Sequence, residues 1–219
     1  MVLRALQTLL SRLYDVDLDY DVYDFLVTDR RALAGVTPEN DRRAPEEELL
    51  LVEAGDGAAV GVALYIDPSV LKRLEESDPF GELTEANLAD YCTALEGVSH
   101  FLYCAWRLGG DAPVSLLELE TQAEVDKYAA TVFLVADQQG GRYPAQVHAR
   151  LFDRVTFDSR LEPEQYDRYR TAHRCAASYC RRLESKFVSR GKARTEALVR
   201  ELRKFYRLGS TAKLRYALA

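Results

Sequence analysis

Histidine, cysteine, methionine and tryptophan are scarce in this 219-residue chain, with three, four, one and one copies. The cysteines, Cys92, Cys104, Cys175 and Cys180, form no Cys-x-x-Cys pair. Cys175 and Cys180 stand five apart, so on a helix they point about 140° away from each other and cannot share one ion or close a disulfide while the helix stays regular. Reduced structural thiols in a cytoplasmic protein are therefore expected. No run reaches 18 apolar residues, which excludes an ordinary membrane-spanning helix, and the opening MVLRALQTLLSRLYDVD lacks a signal peptide's apolar stretch and cleavage site. Gly-x-Gly-x-x-Gly, Gly-x-x-x-x-Gly-Lys-[Ser/Thr], Gly-x-Ser-x-Gly and His-Glu-x-x-His are all missing. Dinucleotide and P-loop nucleotide sites, the nucleophile elbow and the zinc-protease helix go with them. The Glu-x-x-His pair of carboxylate-bridged di-iron bundles is absent as well.

What the chain does have is segregated charge. Residues 168–219 carry 15 Lys and Arg against three acidic residues, while residues 1–167 carry 14 basic and 32 acidic ones. The formal net charge of −6 thus hides an acidic body and a basic tail region. Either the halves neutralise each other within the fold or across a dimer, or the tail faces an acidic partner, nucleic acid included.

Apolar periodicity organises the rest. Leu3, Leu6, Leu9, Leu10 and Leu13 describe a short amphipathic helix. The alternation from Asp15 to Asp21 fits a strand with an aspartate face; without the glycine and glutamate of a calcium loop it reads as a solvated acidic edge. A helix is expected over Val22 to Leu33 and a loop over Gly35 to Pro45. Glu48–Glu53 and Ala58–Ile66 read as a β-hairpin turning at Ala54–Gly57, and Asp67-Pro68 as the cap and first turn of a helix. From Thr84 the chain is nearly all helix: one from Thr84 to about Trp106, one from Ser115 to about Ala136, a shorter one from Pro144 to Phe152, a long one from Pro163 to about Val188, and a last one from Thr195 to near Gly209. In the fourth, Tyr166, Tyr169, His173, Ala176, Cys180, Leu183 and Phe187 alternate threes and fours. The expected fold is mostly α, a helical bundle over residues 84–219 with a small N-terminal α/β element over residues 1–83 that contains the hairpin.

Two groups of residues could carry function. Glu96 and His100 share a helix face, with Cys104 one turn on; Glu120 and Glu124 share another, with Asp126 nearby. Antiparallel packing across Gly109–Pro113 would bring the pairs together, and His148 would complete a carboxylate–imidazole set for Fe, Mn or Zn. Local ion pairs to Lys127 are the plain alternative. The second group is basic: Arg181, Arg182, Arg200, Arg203, Lys204 and Arg207, read as facing an acidic protein surface or a second copy of the chain, or RNA or DNA phosphates. No base-reading module accompanies it. Taken from the sequence alone, the chain is a helical interaction or regulatory protein engaging an acidic partner through its C-terminal helices, with a metal-dependent enzyme or a nucleic-acid binder as the alternatives.

Overall fold

Leucines at positions 3, 6, 10 and 13 line one side of α1 (Val2–Tyr14), and all four are buried. The helix ends where Asp15 turns left-handed, at φ 56°, a conformation aspartate tolerates, and the Val16 N–H closes on the Ser11 carbonyl at 3.0 Å. The computed structural model describes residues 2–33, 45–53, 60–153, 155–157, 161–188 and 195–219. Most of the Gly35–Pro45 loop, the hairpin turn at 54–57 and the break at 189–191 lie outside the described residues. Within them the fold is mostly α, with eight α-helices and one small mixed sheet. No described helix is long and apolar enough to cross a membrane.

The aspartate-rich stretch after α1 is irregular rather than a strand, since a single strand cannot pair four like charges on one face. Residues 22–33 form no continuous helix. They make two short 3-10 turns, Val22–Asp24 and Arg30–Leu33, around a two-residue strand, β1 (Leu26–Val27). The hairpin strands are β2 (Glu47–Glu53) and β3 (Val60–Ile66), paired antiparallel with Leu49 opposite Leu64. β1 adds parallel to the other edge of β3, giving the order β1-β3-β2. Asp67 caps α2 (Pro68–Glu76) by accepting the Ser69 N–H at 2.8 Å.

Helix α3 (Leu88–Gly109) begins at Leu88, the first residue of its apolar pattern, rather than at Thr84. The Asn87 side chain holds the preceding turn, accepting from the Thr84 N–H and donating to the Glu82 carbonyl, so Thr84 belongs to that turn and not to the helix. Ser115 does cap α4 (Leu116–Gln138), and Gly140 and Gly141, at φ 64° and 86°, end it. The short α5 (Val147–Phe152) leads to α6 (Pro163–Leu183), which packs along α4 and runs on as a π-helical turn over Glu184–Val188. The buried stripe of α6 includes Ala172, Cys175 and Tyr179 beside Ala176, Cys180 and Leu183, broader than a heptad seam. After α7 (Thr195–Tyr206) comes a helix that apolar periodicity does not announce, α8 (Ser210–Leu218).

One apolar core joins α1, the sheet and every later helix. Its centre is aromatic: Tyr14 stacks on Tyr206 at 4.1 Å, and Trp106 and Tyr103 each meet Tyr206 at 4.9 Å. Into this core α8 inserts an amine. Lys213 is fully buried and donates to Gln122 Oε1 at 2.6 Å, the Tyr103 hydroxyl at 2.8 Å and the Tyr206 carbonyl at 3.3 Å. Tyr103 in turn donates to Glu118, while Gln122, Ser99 and Tyr14 all donate to Asp126. Only Lys213 and Ala217 of α8 are buried, so this polar network anchors the helix more than apolar area does.

Burial pushes the Lys213 ammonium down to about 7, against the pull of Glu118 and Asp126. In the unfolded chain it holds its proton to about 10.4, so between those values the unfolded state binds more protons and Lys213 adds stability as pH rises, at about 1.4 kcal/mol per unit. Lys213→Met removes this contribution. Urea midpoints of the two proteins should therefore diverge in favour of the natural chain between pH 7 and pH 9.5; a difference that stays constant with pH would contradict the burial of the amine.

Candidate metal centre

The opposite face of the same helix pair holds a second polar cluster. Helical spacing puts Glu96 and His100 on one side of α3 and Glu120 and Glu124 on one side of α4, and the connection at residues 110–115 folds α4 back antiparallel. Ligand atoms of Glu96, His100 and Glu120 consequently lie within 4.8 Å of one another, the one such group among the described residues. His100 Nε2 is 3.6 Å from Glu120 Oε2. It is buried and has no hydrogen-bond partner, in a side chain only 9% exposed.

Glu47, the first residue of β2, is the member that sequence spacing could not find. Its Oε1 lies 3.3 Å from His100 Nδ1, across 53 residues of chain. Gly97 opens the route: a Cβ there would sit 2.8 Å from Glu47 Cγ and 3.0 Å from Leu64 Cδ1. The sheet edge therefore lies close against α3, and the glutamate passes over the helix to the imidazole. Arg168 on α6 closes the other end, with Nε 3.8 Å from Glu120 Oε1.

Glu124 and His148 stand apart from this set. Glu124 pairs with Lys127 at 2.7 Å and faces His173 Nδ1 at 3.8 Å. The His148 ring is committed to α6, with Nε2 2.9 Å from the Ala177 carbonyl, and its backbone N–H donates to Glu184. Cys104 is buried in the apolar core, and Asp126 belongs to the Lys213 network. Lys127 bridges the centre and Glu124, its Nζ being 3.0 Å from Glu96 Oε2.

Charge in the cluster does not balance. Four carboxylates, Glu47, Glu96, Glu120 and Glu124, surround two permanent cations, Lys127 and Arg168. Protons make up the difference. Burial opposes a charged His100 ring, yet Glu47, then Glu120 and Glu96, push its pKa up to about 9. Burial also raises Glu120 to about 7, against His100 and Arg168, and it raises Glu47. Glu124 goes the other way: burial would raise it, but Lys127 and His173 hold it at about 2. The shortage of positive charge is thus concentrated where three carboxylates meet His100.

Of the six basic residues singled out on the C-terminal helices, Arg181, Arg200, Lys204 and Arg207 are exposed and Arg182 and Arg203 half-buried, yet several of them hydrogen-bond this chain's own backbone. Arg203 donates to the carbonyls of Leu13 and Arg12, and Arg207 to that of Asp15, closing the C-terminal end of α1. Arg182 does the same for α8, donating to Ala217 and Tyr216 at 2.7 and 2.6 Å. Lys204 donates to the Tyr216 hydroxyl at 3.1 Å. Arg181 lies 3.6 Å from Asp153 with its side chain mostly in solvent, and Arg200 is exposed. No family model matches the chain, and neither the curated proteins nor the solved structures contain a match to it.

Gly97→Ala tests the coupling of sheet to site. Alanine favours the helix by about 0.5–1 kcal/mol, while overpacking against Glu47 and Leu64 costs about 1–3 kcal/mol. The variant should remain folded, melt slightly lower and lose the contact between Glu47 and His100, read as a fall of the His100 pKa in an NMR titration. An unchanged His100 titration would show that Glu47 does not govern the ring.

Proposed function

We propose that the chain is a divalent-metal protein, built for metal-dependent chemistry, whose ion is held by Glu96, His100 and Glu120, with Glu47 behind the ring at His100 Nδ1. The observation that carries this reading is His100 Nε2, buried without a hydrogen-bond partner and facing carboxylates whose oxygens lie within 4.8 Å. A divalent ion would supply the two positive charges that four carboxylates and two fixed cations leave wanting. Two carboxylates and one imidazole form a donor set that suits Mn2+ or Fe2+ and also accommodates Zn2+. The chemistry such an ion supplies is a water deprotonated near neutral pH, or a polarised substrate oxygen. Arg168 and Lys127, already paired to Glu120 and Glu96, orient those carboxylates from outside the donor set.

The reading in which the basic helices engage an acidic protein or nucleic acid has less behind it. Arg182, Arg203, Lys204 and Arg207 each place donors on this chain's own carbonyls or on Tyr216, although Lys204 and Arg207 are exposed along with Arg181 and Arg200.

Calorimetric titration of metal-stripped, untagged protein with Mn2+, Fe2+ and Zn2+ tests the proposal. Uptake of an ion by the natural chain is expected, lost in Glu120→Gln and His100→Ala. Affinity should climb from pH 6 to pH 9, because the ion must displace protons that His100 holds to about 9 and Glu120 to about 7. Each proton displaced adds up to about tenfold per pH unit. Uptake below about 0.1 ion per chain with all three metals would reject it.

A further inference from the structure

Beside the proposed ion sits a cation that the chain supplies itself. Lys127 Nζ lies 3.0 Å from Glu96 Oε2 and 2.7 Å from Glu124 Oε1, and its side chain is 15% exposed. Glu96 is also one of the residues grouped with His100 and Glu120, so this carboxylate faces both positions. Beyond Glu124 stands a second imidazole. His173 Nε2 is 3.2 Å from the Phe152 carbonyl, which makes that nitrogen the donor and leaves Nδ1 turned toward Glu124 Oε2 at 3.8 Å, buried and without a hydrogen-bond partner. The two halves repeat one plan. Glu120 and His100 stand on one side of Glu96, Glu124 and His173 stand on the other, and helix α4 contributes a carboxylate to each at a spacing of four.

In a carboxylate-bridged pair of metal ions both positions carry a divalent cation. Here the second carries one positive charge fixed to α4. We infer that Lys127 occupies the second cation position of a carboxylate-bridged pair, so that the site takes one metal ion per chain and Glu96 links that ion to the ammonium. This rests on the metal reading above. It carries that reading further by setting the number of ions and by directing the chemistry toward a single Lewis-acidic ion with a neighbouring N–H donor, rather than toward two-metal chemistry.

An ammonium keeps its oxygens at 2.7–3.0 Å here, whereas a transition metal draws them to about 2.0–2.2 Å. Removing the side chain both vacates the position and leaves two carboxylates free to close on an ion.

The experiment is a Mn2+ titration of the full chain, read by calorimetry and by elemental analysis after desalting. The natural protein should saturate at one ion, Lys127→Ala at two, and Lys127→Arg, which keeps a cation in place, at one. Lys127→Ala also leaves Glu96 and Glu124 unneutralised, so its melting temperature should fall without metal and recover on addition of the second equivalent of Mn2+; this recovery is readable even if the metal-free variant is only partly folded. Two ions in the natural chain, or one ion in Lys127→Ala with no recovery of melting temperature, would overturn the inference while leaving the metal site standing. No ion in any of the three proteins would instead remove the metal reading on which it rests.

Discussion

Helices α3 and α4 bury carboxylates on both of their shared faces, and a buried carboxylate whose counter-charge is removed costs several kcal/mol. Glu96, Glu120 and Glu124 lie on one face and Glu118 and Asp126 on the other, so the helix pair cannot be covered by apolar neighbours alone. Each packed element brings something to answer this demand. The sheet brings Leu64 and Ile66 together with Glu47, α6 brings Arg168 and His173 with its apolar stripe, and α8 brings Lys213.

The two faces answer in opposite ways. Around Lys213 the acceptors are mostly neutral, a hydroxyl, a carboxamide and a peptide carbonyl, with Glu118 and Asp126 one hydrogen bond further out. The amine tends to shed its proton there. Around His100 the carboxylates are direct neighbours, and the imidazole retains its proton beyond the ordinary range. The first network closes upon itself and anchors the last helix. The second keeps an unpartnered nitrogen and a shortage of positive charge, and it is the one suited to an ion.

Much of this could be read from the sequence, and the parts that could not have physical reasons. The long helices follow from apolar periodicity, and the meeting of Glu96, His100 and Glu120 follows from spacings of four on two helices joined by a short turn. Glu47 escaped because its approach depends on the missing side chain of Gly97 and on the register of a strand far away in sequence. Helix α8 escaped because a helix that buries only a lysine and an alanine presents no apolar stripe. The segregated basic charge was visible, but its use was not. Arg182, Arg203 and Arg207 bind peptide carbonyls at helix ends, and these acceptors leave no trace in composition. His148 looked like a ligand by residue type, yet its ring is held by the Ala177 carbonyl.

Anomalous X-ray diffraction from crystals grown with Mn2+ addresses the central claim most directly. The account predicts a single strong anomalous peak bounded by Glu96, His100 and Glu120, with His100 Nε2 as the nitrogen ligand and Lys127 still bridging Glu96 and Glu124. Density without an anomalous peak there, with His100 remaining in contact only with its carboxylates, would show that the cluster is a buried ion-pair network and not a metal centre.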